Sequence, residues 1–379
     1  MTSPMAWIVP IIYITASDHS PKLVWLKGKE DYVMLSTKDE WVKINYRFGS
    51  YYRSHYDEES IIQLSHDLFK NNSILHPMDK LSIVTDMMAL LRIGKLNISA
   101  VLFHCDHLKK ETELYLMSQF FFDLKYIYRL IIDIEEIRTK FENYSIGFSR
   151  PIIQRLGYDL HDDHSTRSLQ TLAISVSVGF NEKETLDRAR TAFKKYIDEK
   201  TPIDPDILTV YACGYIKLST DQEWEQMLQL FISTSDTIEK GIYRTALSCS
   251  KSVLIKRLLN MTLNQTIIEI EDSMDIILDV SRSPLGANLA WNFVKQNWKR
   301  IKDQMSDDPH SFLHIISSAA GRLKTLNDLN DVKALKKRNK VEFLNSAFEE
   351  ALESIGNNIY WISKNAMELQ RYLDNYKWT

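Results

Sequence analysis

Gly49-Ser50-Tyr51-Tyr52-Arg53-Ser54-His55-Tyr56-Asp57 divides this chain into two kinds of pattern. Ahead of it lies Trp7-Ile8-Val9-Pro10-Ile11-Ile12-Tyr13-Ile14-Thr15, which is β-branched and aromatic. Lys22 to Leu26 and Tyr32 to Ser36 are short apolar runs, and Trp41-Val42-Lys43-Ile44-Asn45 alternates with period two. Such runs predict three or four strands. So few strands make a poor core by themselves, and their edges invite pairing. Residues 1–57 therefore read as the second half of a β-sandwich whose first half lies upstream.

From Glu58 onward the apolar period is that of helices. Leu186, Ala189, Phe193 and Ile197 recur at spacings of three and four, as do Trp224, Leu228 and Phe231, and Phe343, Ala347, Ala351 and Ile355. Each set makes one stripe on one helix. Breaks are expected at Pro77, Gly94, Pro151, Gly157, Pro202 to Pro205, Gly241, Pro284-Leu285-Gly286, Pro309 and Gly321. Helix pairs recurring at roughly forty residues predict a HEAT- or armadillo-like α-superhelix of antiparallel pairs over residues 58–379. The fold class is mainly α with a small N-terminal β-sandwich remnant.

Composition excludes several classes of function. Lys and Arg total 47 against 50 for Asp and Glu, so the net charge of −3 gives no reason to expect nucleic acid or an acidic membrane surface. The longest apolar stretch, Trp7 to Ala16, is interrupted by Pro10 and is too short to span a bilayer. It also lacks the basic start of a signal peptide, and the C-terminus lacks the apolar tail that precedes a lipid anchor. Direct membrane insertion is not expected, and any signal or anchor is expected outside this stretch. Three cysteines, Cys105, Cys213 and Cys249, allow at most one bridge. Sequons begin at Asn71, Asn97, Asn143, Asn260 and Asn264, which suits a secreted ectodomain.

No catalytic constellation emerges from the residues. His104-Cys105-Asp106-His107 and His161-Asp162-Asp163-His164 carry histidines at i, i+3 and read as polar turns. His310 and His314 are spaced i, i+4, but Ser311 stands where a hydrolytic Glu would follow, and no third ligand is evident. There is no Gly-x-Ser-x-Gly elbow and no phosphate-cradling glycine loop. Arg53 suits either bidentate recognition of a carboxylate or an ion pair holding strand to helix. The aromatics Trp291, Phe293 and Trp298 at helical spacing read as core.

Several motifs together resemble the C-terminal region of the aminopeptidase N family of zinc exopeptidases. Trp7, Pro10, Tyr13, Trp25-Leu26 and Trp41 stand in the family's order before the Gly-Tyr-Tyr-Arg string, here with Ser50 inserted and His55 in place of Asn. Lys80 to Asp86, Val210-Tyr211 with Cys213, and Ala246 to Lys251 with Cys249 follow at the expected places. The most specific match is Ser283-Pro284-Leu285-Gly286 followed by a Trp-x-Phe-x-x-x-Asn-Trp helix at Trp291 to Trp298; Asn358-Ile359-Tyr360-Trp361 resembles the terminal helix. Two features depart from the family: no Trp follows Tyr115, and the segment Leu172 to Phe180 lacks a second cysteine pair.

The resemblance implies a cap that covers the mouth of a zinc aminopeptidase, admits peptides with free N-termini and closes on substrate. It implies a Cys213–Cys249 bridge, with buried thiols as the alternative, and leaves Cys105 a buried thiol. By the same route Arg322 lies near the substrate cavity, where it could recognise a peptide's C-terminal end. The expected partners are peptides and either the catalytic and β-sandwich domains of an aminopeptidase or a homologous full-length chain. The expected location is an extracellular or membrane-associated ectodomain. The family's zinc site, His-Glu-x-x-His with a later Glu, belongs to an upstream domain and is not found here, so this chain is expected to bind no metal or cofactor and to be inactive alone. Two other readings remain open: a stand-alone peptide- or protein-binding module, and a helical scaffold without a peptide role.

Overall fold

A computed structural model describes residues 7–68, 75–304, 309–339 and 341–377. The described residues are mainly helical, with one small sheet at the N-terminal side. Strands β1 (Val9–Thr15), β2 (Lys22–Leu26) and β3 (Val42–Ile44) form an antiparallel sheet in the order β2-β1-β3, with Ile11 opposite Val24 and Ile14 opposite Lys43. Tyr32 to Ser36, expected as a strand, is irregular. Tyr32 is 84% and Met34 94% exposed, so this run has neither a pairing edge nor a buried face.

Helices follow as α1 (Glu58–Leu68), α2 (Pro77–Arg92), α3 (Ile98–Cys105), α4 (Leu114–Ile131), α5 (Glu135–Leu156) and α6 (His164–Gly179). Next come α7 (Lys183–Glu199), α8 (Pro205–Lys217), α9 (Asp221–Ser233), α10 (Thr237–Ser248), α11 (Ser252–Met261) and α12 (Ile270–Arg282). The last are α13 (Ala287–Gln296), α14 (Trp298–Gln304), α15 (Pro309–Ala320), α16 (Leu326–Arg338) and α17 (Asn345–Asp374). The chain forms two compact units, one reaching Leu124 and the other starting at Lys125, so the boundary falls inside α4.

Within the first unit, the sheet is joined to the helices through buried charge. Lys43 on β3 is almost fully buried and lies 3.6 Å from the carboxylate of Asp79 at the start of α2; its ammonium also donates to the carbonyls of Ile44 and Asn45. Asp79 further accepts from the backbone N–H groups of Arg47 and His76. Between these anchors Asn45, Arg47 and Phe48 all have positive φ (57°, 52° and 56°), which costs a non-glycine residue about 1–2 kcal/mol. Asn45 offsets part of that cost: its side-chain amide donates to the carbonyls of Ser50 and Tyr52 and accepts from Ser50 N–H. The inserted Ser50 is thus held at both its backbone polar groups.

The second unit is built from a row of neighbouring helices. α6, α8, α10, α12, α15 and α17 each pack on the next, and α17 packs back onto α5, itself against α6. The row therefore closes. Tyr144 of α5 meets Tyr372 and Tyr376 at ring separations of 6.1 and 5.1 Å, and Lys140 pairs with Asp374. The expected stripes on α7 and α9 are buried. On α17 the buried stripe runs through Ala347, Ala351 and Ile355, whereas Phe343 lies in the turn ahead of the helix, 45% exposed.

Pro151 and Gly241, expected as breaks, lie inside α5 and α10. Packing of those helices on their neighbours outweighs the local penalty of one lost hydrogen bond and of glycine's backbone freedom.

Removing Lys43's charge should leave Asp79 buried and uncompensated. Lys43→Met should therefore lose about 3–5 kcal/mol in denaturant unfolding, and Lys43→Met/Asp79→Leu should recover much of it. Burial first, with Asp79 and Asp86 opposing, lowers the Lys43 pKa from 10.5 to about 8. Between those two values the unfolded chain holds the proton that the folded chain has released, so stability should rise with pH across that window. Titration of Tm should show this slope in the native chain and its loss in Lys43→Met.

Candidate functional site

Three helix C-termini in the second unit carry arginines that act on one another. Arg129 is in the last turn of α4 and Arg282 ends α12, positions where a cation complements the negative end of the helix. Arg322 follows α15, and its Nη1 donates to the Arg282 carbonyl at 2.7 Å. Burial presses the Arg322 pKa down to about 10, with Arg129 and Arg282 adding to the effect. A guanidinium in that position gains from any anion that reaches it.

The loop carrying Arg322 is fixed from both sides. Asn358 of α17 donates to the carbonyls of Gly321 and Leu323 at 3.2 and 2.8 Å. Lys324 donates to the carbonyls of Arg129 and Leu130 at 2.9 and 3.2 Å and pairs with Asp133 at 2.8 Å. Gly321 is required by close approach, since a Cβ there would lie 2.5 Å from the Ser317 carbonyl oxygen. At Gly286 a Cβ would stand 1.8 Å from the Val280 carbonyl oxygen, so the Pro284-Leu285-Gly286 turn that follows Arg282 needs glycine as well. Arg322 was legible as a candidate, but Arg129, Arg282 and Lys324 were not. The signal at Arg129 and Arg282 was a basic residue closing a predicted helix, whereas Lys324 lies in the loop ahead of α16, and the three come together only in the folded row.

The other sequence candidates are placed as follows. Arg53 pairs with Asp86 of α2 at 3.0 Å, and Asp86 also accepts from Ser54 N–H at 2.8 Å. Burial nevertheless holds the Asp86 carboxyl above its usual range, against the pull of Ser54 and Arg53. Arg53 thus acts in the strand-to-helix junction of the first unit. Cys213 of α8 and Cys249 after α10 are disulfide-bonded with Cα atoms 5.5 Å apart, and Cys105 is a buried free thiol. Asn97, Asn143, Asn260 and Asn264 are exposed, and Asn71 lies outside the described residues. The hydroxyls of Ser145 and Thr262, which complete two of these sequons, are buried on the carbonyls of Phe141 and Leu259.

The resemblance places the family's zinc in a domain upstream of this chain. Among the described residues no three His, Cys, Asp or Glu side chains converge as a metal would need. Likewise, no described helix is long and apolar enough to cross a membrane.

A small sheet, the Tyr-Tyr-Arg junction and a helical remainder agree with the C-terminal region of the aminopeptidase N type. The profile of the ERAP1-like C-terminal domain matches residues 41–357, and the chain belongs to that family. It is 26% identical over 374 residues to bovine endoplasmic reticulum aminopeptidase 2, covering 97% of this chain and 39% of the relative. Human aminopeptidase N is 25% identical over 390 residues, with 98% and 40% covered. Rat endoplasmic reticulum aminopeptidase 1 is 25% identical over 377 residues, with 97% and 40% covered. The chain thus spans about two fifths of the length of the relatives it matches.

The bridge closes a separation of 36 residues, for which the chain-entropy account gives about 4 kcal/mol. Cys213→Ala/Cys249→Ala should lower the unfolding free energy by up to that amount in urea, while Cys105→Ala, with no bond to lose, should show only a packing cost.

Proposed function

We propose that this chain is the C-terminal cap of a zinc aminopeptidase that removes N-terminal residues from peptides. The cap breaks no bond itself. It admits peptides and holds their C-terminal carboxylate at Arg322, with Arg129 and Arg282 supplying the surrounding positive field. Zinc and the groups that activate water come from residues this chain does not contain. Membership of the ERAP1-like family and the aminopeptidase relatives support the general reading. The observation that carries the finer one is Arg322, depressed in pKa by burial and two neighbouring guanidiniums, on a loop fixed from two sides.

The N-terminal sheet supports the partner. Leu23 and Trp25 on the edge strand β2 are 53% and 48% exposed, a surface suited to a neighbouring β domain. Exposed sequon asparagines and a disulfide fit a lumenal or extracellular location.

Fluorescence anisotropy with a labelled nonapeptide tests the carboxylate role. Saturable binding should weaken at least tenfold when the peptide's C-terminus is amidated, and by a similar factor in Arg322→Gln with the free acid, as expected for a lost charge-assisted hydrogen bond. The amidated peptide should bind both chains alike. No saturable binding, or indifference to the carboxylate, would overturn the proposal.

A further inference from the structure

The first unit contains a cavity of about 240 Å³ between the Ser54 to Glu58 segment, α1, α2 and α3, apart from the arginines. Its inner wall is apolar and buried: Ile61, Ile83, Met87 and Val101. An apolar cavity of about 150 Å³ accommodates benzene. The space here suits a planar molecule of about ten non-hydrogen atoms.

Two buried polar side chains, Ser54 and His104, break that wall, and the imidazole is the larger. His104 of α3 lines the cavity and is only 7% exposed. Its Nδ1 lies 3.3 Å from the hydroxyl of Ser65. That contact is the one side-chain hydrogen bond of either residue among the described residues. With the Ser65 hydroxyl as donor in that contact, the ring proton stands on Nε2, and Nε2–H is the imidazole's remaining donor. Burial, reinforced by His107 and opposed by Glu58, holds the imidazole below its ordinary pKa and so neutral. At the rim stand Asp57 and Glu58 against Lys95, a balance that disfavours an anionic occupant. Asp57 is also committed to capping α1 through Ser60 N–H and hydroxyl.

We infer that this cavity binds a small neutral aromatic carbonyl compound, its ring on Met87 and the isoleucines and its carbonyl oxygen accepting from His104 Nε2–H. The two halves of the ligand answer two separate features of the wall. A hydrocarbon would fill the space and leave the imidazole N–H unpaired, and a carboxylate would face the acidic rim.

The test uses acetophenone and its planar hydrocarbon counterpart, α-methylstyrene, titrated into the full chain labelled with ¹³C-methyl methionine. The Met87 methyl signal, assigned through Met87→Leu, should move with both compounds. Acetophenone should bind about fivefold more tightly, the ratio expected for one neutral hydrogen bond. His104→Phe should erase that preference. Ala100→Trp, a change at an exposed position of α3 on the cavity wall, should abolish both titrations without requiring a core rearrangement, and so keeps the test decisive if His104→Phe does not fold. A Met87 signal unmoved up to the solubility limit, equal affinities for the two compounds, or titrations unchanged in Ala100→Trp would each overturn the inference.

Discussion

The contact between Lys43 and Asp79 is the constraint on which the first unit depends. Both residues are almost fully buried, one on the last strand and the other on the first turn of α2. A pair of apolar residues could fill the same space at lower desolvation cost, but it could not accept from Arg47 and His76 N–H while facing an ammonium. The carboxylate thereby fixes the chain direction through three left-handed residues. It also brings Arg53 to Asp86, two turns further along the same face of α2. Strand, turn and helix are joined by a few charge-assisted hydrogen bonds.

Much of the helical part was legible because period and capping agree. Thr220 with Glu223 and Thr325 with Asp328 form capping boxes, and Pro77 and Pro205 stand in the first turns of their helices, where a missing N–H costs nothing. Legibility failed where tertiary surroundings decide. Tyr32 to Leu35 has the composition of a strand but no neighbour to pair with, while Pro151 and Gly241 have the composition of breaks but sit in helices held by their neighbours. The arginine site was half legible. Arg322 could be singled out, but its two companions lie 193 and 40 residues earlier in the chain, and only the folded row brings the three helix ends together.

That convergence has a physical logic. Each helix end presents carbonyl oxygens without intrahelical partners, and here the cations meet them: Lys324 on α4 and Arg322 on α12. The same contacts that satisfy the backbone hold positive charge at fixed positions. A structural requirement and the proposed recognition surface thus share the same stretch of chain, with Lys324 keeping the loop in place.

Closure of the helical row has a consequence for how the protein is made. The α5 face that carries Lys140 and Tyr144 is completed only by α17, and Asp374 lies 234 residues beyond Lys140. During synthesis that face leaves the ribosome 234 residues ahead of Asp374, so a nascent chain carries an unfinished seam while those residues are made. Factors that shield apolar surface would be engaged there until α17 emerges.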